Sequence, residues 1–317
     1  MRSRPVHGER SPRREAIRIV STDVGIDDAF ALLFLDHFAE PSVDYVIATG
    51  GNVKVARVAA NCAFLKEQFG LGACLFAGSD PPDLDALEDA AHVHGPFGLG
   101  PYESPAAELP PMSELVALLR GRTEHIRLLV LGPATDAAHL LADPDVAGRV
   151  EQVVLMGGAF EPRGGRLGNV TPFAEFNFWM DPAAAWSVMQ AAGRCTLVPL
   201  DATERVLFGP DELLARVGTG RHGTIARALI GFLRHAHVAL GSGDGVYLHD
   251  VLAAAVWLDQ VRCERREVSL RGVVPDGERR GMVLRDGAGG TTVNYVAGVD
   301  EGEFLLLWSA MARAMLA

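Results

Sequence analysis

Three aspartates, Asp23, Asp27 and Asp28, fall within the stretch Ile19-Val20-Ser21-Thr22-Asp23-Val24-Gly25-Ile26-Asp27-Asp28-Ala29. The β-branched run before them reads as a strand ending near Ser21, and a helix begins near Asp27. Acidic residues in a first helical turn have an ordinary use: they cap free N–H groups and complement the helix dipole. That use covers Asp27 and Asp28 but not Asp23, which precedes the glycine turn. Carboxylates this close repel one another unless a cation sits among them. Hard oxygen ligands select calcium or magnesium. On spacing alone, a metal site and simple capping both stay open.

Two distant segments carry further polar groups. Tyr247-Leu248-His249-Asp250 precedes an apolar helix over Val251 to Leu258. Asp250 is placed to cap that helix, and a lone histidine such as His249 is more often structural. In Gly168-Asn169-Val170-Thr171-Pro172-Phe173-Ala174-Glu175-Phe176-Asn177, the polar residues Asn169, Glu175 and Asn177 sit among aromatics. Amides and a carboxylate in such surroundings suit a sugar, whose hydroxyls donate and accept. A plain polar loop accounts for them equally well.

These groups need elements to hold them. Short β-branched runs, Ile17 to Ser21, Val43 to Ala48, Ile126 to Leu131, Val150 to Met156 and Thr196 to Leu200, end in glycine, aspartate or proline. Between them lie helical periods such as Ala29 to His37, Val55 to Phe69 and Pro182 to Ala192. Alternating strands and helices predict an α/β fold with a largely parallel central sheet flanked by helices. In such sheets the ligand site lies beyond the carboxyl ends of the strands. Glycine- and proline-rich stretches at 78–111 and 161–172 read as functional loops, and the helical segment 203–245 as a cap over the site.

The chain has 317 residues, 49% hydrophobic and 22% charged, and a net charge of −11. Such an acidic balance repels nucleic-acid polymers and anionic membranes, so a small partner fits better. Cys62, Cys74, Cys195 and Cys263 are scattered without metal-binding spacing, as expected of free thiols in a reducing compartment. No apolar run approaches the roughly 20 residues of a membrane span. Residues 1–15 read as a disordered basic tail, 16–317 as one domain, and the protein as cytoplasmic.

Taken together, these segments resemble the inosine–uridine-preferring nucleoside hydrolase family, whose opening motif is D-T-D-x-G-x-D-D-A. The corresponding run here is Ser21-Thr22-Asp23-Val24-Gly25-Ile26-Asp27-Asp28-Ala29. Thr49-Gly50-Gly51-Asn52, Leu131-Gly132-Pro133-Ala134-Thr135-Asp136, Met156-Gly157-Gly158, the Asn169 to Asn177 segment and His249-Asp250 follow in the family's order. The resemblance implies hydrolysis of the N-glycosidic bond of a small-molecule nucleoside, with calcium as cofactor. It implies that Asp23, Asp28, Asp250 and the Leu131 carbonyl hold the calcium. It makes Asp27 the general base on a calcium-bound water and His249 the group assisting the departing base. Asn52, Asn169, Glu175 and Asn177 become the residues gripping the ribose. A homo-oligomer, dimer or tetramer, is implied by analogy.

The sequence also departs from the family's pattern. Val24 and Val251 stand where proline is usual. The loop His94-Gly95-Pro96-Phe97-Gly98-Leu99-Gly100 lacks the customary acidic residue. His94 and His237 are candidates for the nucleobase end, His237 lying on a helix that usually bears tyrosine. These differences leave open a modified nucleoside as substrate. Two other readings are a catalytically weak nucleoside-binding protein, against which the intact Asp23, Asp27, Asp28 and Asp250 set argues, and a magnesium phosphohydrolase, which shares the acidic turn. The last lacks the expected phosphate-binding glycine loop.

Overall fold

The computed structural model describes residues 16–87, 89–162, 165–191, 195–241, 243–287 and 289–317; the expected basic tail, 1–15, lies outside them. Nine strands form one sheet: β1 (Ile17–Thr22), β2 (Tyr45–Ala48), β3 (Cys74–Ala77), β4 (Ile126–Val130), β5 (Val150–Met156), β6 (Cys195–Val198), β7 (Cys263–Val273), β8 (Val283–Arg285) and β9 (Thr291–Val299). Their order is β3-β2-β1-β4-β5-β6-β9-β7-β8. Strands β3 to β6 in that order, and β9 beside β6, run parallel. The last two pairings, β9 with β7 and β7 with β8, are antiparallel.

β1 is buried along its whole length, the pattern of a strand covered on both faces. One apolar layer gathers Val20, Val46, Leu129 and Val154 with the helices Ile26–Phe38 and His249–Trp257. The other gathers Ile17, Ile19, Ile47, Leu128 and Leu155 with the helix Pro182–Ala191. Side chains alternate along each strand, so adjacent residues serve opposite layers.

Because β1, β2, β4, β5 and β6 are parallel, their carboxyl ends share one edge of the sheet. Five turns therefore open there, after Thr22, Ala48, Val130, Met156 and Val198. The two helices Ile26–Phe38 and His249–Trp257 pack side by side, the latter against β5 and β4, and start at that same edge. This brings residues of the first turn against residues more than two hundred positions later. The expected strands and helices appear with boundaries within three residues of those expected, Val55–Phe69 and Val150–Met156 without any shift. The segment expected as a cap contains the helices Pro210–Leu214 and Arg221–Ala239, and the latter packs on the short helix Ala91–His94.

Candidate active site

The first turn is held open by backbone donors. Asp28 accepts hydrogen bonds from the Thr22 hydroxyl and, at 2.8 Å, from the Gly25 N–H. Both of its oxygens are thereby oriented, and each keeps a lone pair for a further partner. Asp23 accepts from the Asn52 N–H at 2.8 Å. Its carboxyl sits between two glycines: a Cβ on Gly51 would fall 2.2 Å from one oxygen and a Cβ on Gly132 2.6 Å from the other. No side chain fits at either position, so the turns after β2 and β4 must be bare to admit Asp23. The buried Val24 has φ of 21°. Proline cannot adopt that angle, and a β-branched residue rarely does, so the turn is strained beside the site.

Asp250 arrives from the start of the helix His249–Trp257. Its backbone N–H donates to Asp27 at 3.4 Å across a separation of 223 residues. Carboxyl oxygens of Asp27, Asp28 and Asp250 all lie within 4.8 Å of one another, and all three residues are buried. Asp23 falls outside that tight triangle but is close enough to act electrostatically on Asp250, and Asp28 acts on it. Burial, then mutual repulsion, holds the Asp23 and Asp250 carboxyls well above the usual carboxylate range. The same two causes push Asp27 up to about 7. Burial also raises Asp28, opposed by its Thr22 hydrogen bond. Among the described residues no lysine or arginine pairs with any of the four. Four buried carboxylates without a protein counter-charge constitute a hard-oxygen donor set that fits a divalent cation.

The sugar-facing candidates divide. Asn177 is buried and donates through Nδ2 to the Leu131 carbonyl at 2.7 Å and to Met156 O at 3.3 Å. It thus bridges the turns after β4 and β5. Glu175 caps the short helix Phe176–Met180, accepting from the N–H groups of Asn177, Phe178 and Gly158 at 2.8, 3.1 and 2.9 Å. Burial nonetheless pushes it up to about 7. Its position fixes Asn177 as much as it faces a ligand. Asn52 is buried over the acidic turn, its amide near Gly25. Asn169 is exposed, and its side-chain oxygen is tied to Phe176 N–H at 3.0 Å; the structure does not gather it with the buried amides.

Histidines line another side. His94 lies over Gly25, and its Nδ1 accepts from Ile26 N–H at 3.0 Å. Burial, with His237 and His92 nearby, pushes it down to about 3, so it is neutral with its proton on Nε2. His237 is buried and its Nδ1 donates to the Gly245 carbonyl at 3.2 Å. Burial lowers it as well. Tyr247 stands between His237 and His249, ring centroids 5.7 and 5.6 Å away. His249 Nδ1 is 2.7 Å from the Thr203 hydroxyl. Thr22, Thr203 and Tyr247 carry no sequence pattern of their own; Thr22 and Tyr247 only lie in the segments that hold Asp23 and His249, and nothing near Thr203 marks it.

The His94 loop is fastened from below. Asn61 is buried on the helix Val55–Phe69; it donates to Phe97 O at 2.8 Å and accepts from the Ser104 hydroxyl at 2.7 Å. Asn61→Ala leaves both loop groups unpaired and is expected to cost about 1–3 kcal/mol of stability. Urea unfolding measures it, and an unchanged midpoint would show that the loop is held elsewhere.

An acidic pocket ringed by amides and imidazoles, at the carboxyl edge of a parallel sheet, defines the class: an α/β enzyme built for a small polar ligand. The family profile described as inosine-uridine preferring nucleoside hydrolase matches residues 18–305. The non-specific ribonucleoside hydrolase RihC of Salmonella agona (strain SL483) is 32% identical over 246 residues, 76% of this chain and 77% of that protein. A solved plant nucleoside hydrolase, the PpNRh1 enzyme, superposes with a TM-score of 0.82 at 26% identity, covering 94% of this chain and 99% of that one. A purine-preferring ribonucleoside hydrolase from Gardnerella vaginalis shares the fold, with a TM-score of 0.79 at 24% identity over 94% of this chain and 99% of that one. The chain belongs to the inosine–uridine preferring nucleoside hydrolase family. Its class of reaction is N-ribosyl hydrolysis.

Proposed function

We propose that this chain hydrolyses ribonucleosides to ribose and free base, with calcium as its resident cofactor. The observation that carries the reading is the convergence of the Asp27, Asp28 and Asp250 carboxyls, drawn from both ends of the chain, within 4.8 Å of one another. Asp28 and Asp250, with Asp23 and the Leu131 carbonyl, would hold the ion. When bound, calcium fixes the ribose hydroxyls and makes a water more acidic.

Asp27 is the proton acceptor. Its carboxyl stands near neutrality without a cation, and a nearby positive charge lowers it, keeping it ionised at pH 7. A base with this poise suits removal of a proton as water attacks the anomeric carbon. Cleavage builds oxocarbenium character on the sugar, which buried carboxylates and the amide oxygens of Asn177 and Asn52 stabilise. One direct displacement inverts that carbon. Glu175 serves the ribose end chiefly by fixing Asn177, whereas Asn169, tied to the Phe176 N–H at the surface, stands apart from it.

The departing base must gain a proton or a hydrogen bond. His249, oriented by Thr203, serves that role, while His94 and His237 border the base as neutral imidazoles. His249→Ala is expected to slow ribonucleosides with poor leaving groups by about 10²-fold or more and to affect activated nitrophenyl ribosides far less. Equal losses on both substrates would remove His249 from leaving-group assistance.

The whole reading is tested with a panel of common and modified ribonucleosides and nucleotides, assayed for free base and reducing sugar with and without chelator. Turnover of nucleosides that chelation abolishes and calcium restores is expected. Binding without turnover, or turnover of nucleotides alone, would overturn it. A cytoplasmic location and a homo-oligomer accompany this proposal, and among the described residues no helix is long and apolar enough to cross a membrane.

A further inference from the structure

The helix Phe176–Met180 has only five residues. A helix so short has little stability of its own and is placed by what binds its ends. Glu175 satisfies its amino end. The carboxyl end is satisfied from a remote part of the chain. Arg280, in the turn between β7 and β8, donates from Nε to Trp179 O at 2.7 Å and from Nη2 to Met180 O at 3.1 Å. Its Nη1 also reaches Pro275 O at 3.1 Å within its own turn. Next to it, Gly281 packs so close that a Cβ would fall 2.5 Å from the Trp179 Cα. The guanidinium is largely buried, and Nη2 further pairs with Asp83 at 2.8 Å.

We propose that Arg280 is a positioning residue for Asn177, fixing the amide that bridges the Leu131 and Met156 carbonyls. The planar fork of arginine suits two adjacent carbonyls, and a lysine point charge does not reproduce it. The inference rests on the reading that Asn177 acts on bound ribose. The antiparallel end of the sheet thereby contributes to the geometry of the pocket. The Asp83 pair has an exposed partner and adds little.

The experiment is a double-mutant cycle on the full chain, read as kcat/KM for a ribonucleoside, with thermal melts confirming that each variant is folded at the assay temperature. Arg280→Ala is expected to lower kcat/KM by roughly 10- to 100-fold, the scale of a misplacement near 1 Å. In the Asn177→Ala background the same change should cost less than about twofold, because the group it positions is gone. Arg280→Lys should recover only part of the loss, and Asp83→Asn should stay within about twofold of the parent. A full, multiplicative Arg280→Ala loss in both backgrounds would overturn the proposal, as would complete rescue by lysine or an Asp83→Asn loss matching Arg280→Ala. Asn177→Ala with unchanged kcat/KM would overturn the ribose reading itself, and this inference with it. If Arg280→Ala fails to fold, Arg280→Lys carried through the same cycle decides.

Discussion

Asp27→Asn is expected to lower kcat by about two to four orders of magnitude while leaving calcium and ligand affinity within a few-fold of the parent. The substitution preserves volume and keeps an oxygen for the Asp250 N–H that now reaches Asp27. On the proposed reading it removes the proton acceptor alone. The acid limb of the pH–rate profile should vanish with it, since that limb marks protonation of the base. In the loaded enzyme the limb should lie below about pH 7, the value to which burial and Asp28 push the carboxyl without a cation. Calorimetric titration of calcium gives the affinity and initial rates give kcat. A variant turning over within about tenfold of the parent would exclude Asp27 from the base role.

The second large effect concerns the cation. An unfolded aspartate releases its proton near pH 4, whereas the folded Asp27 holds it to about 7. Glu175 behaves in the same direction, also to about 7. Between those limits the folded chain carries more protons than the unfolded one. Stability of the chelated protein should therefore fall as pH rises through that window. On the proposed reading calcium would bind the ionised cluster and oppose the fall, adding about 2.7 kcal/mol when present at 100 times its Kd. Melting curves at pH 5.5 and pH 8, with calcium and with chelator, are expected to show the largest calcium shift at pH 8. Asp28→Asn should abolish most of that shift. A melting temperature indifferent to calcium at pH 8 would mean the acidic cluster is not a cation site.

Much of this is legible in the sequence. Val55–Phe69 and Val150–Met156 appear with the boundaries their residues suggested, because buried β-branched runs and helical periods differ strongly. The acidic turn was legible because Asp23 has no capping use, and Asp250 because the resemblance paired it with that turn. Other parts carried no local signal. β7 begins Cys263-Glu264-Arg265-Arg266-Glu267, a charged run whose strand character comes from pairing with β9. Arg280 sits in Glu278-Arg279-Arg280, which reads as a solvated charge cluster; its carbonyl partners lie a hundred residues away. Asn169 shows the converse: a local pattern placed it with Glu175 and Asn177, but its side chain turns to the backbone at the surface.

The side-by-side packing of the helices Ile26–Phe38 and His249–Trp257 has a consequence for biosynthesis. During translation the aspartates of the first turn leave the ribosome more than two hundred residues before their partner at position 250. If the acidic cluster is the proposed cation site, a nascent chain lacks it until this late helix docks, so cation uptake should report docking of that helix. Chains truncated before that helix should be blind to calcium however well their first strands assemble.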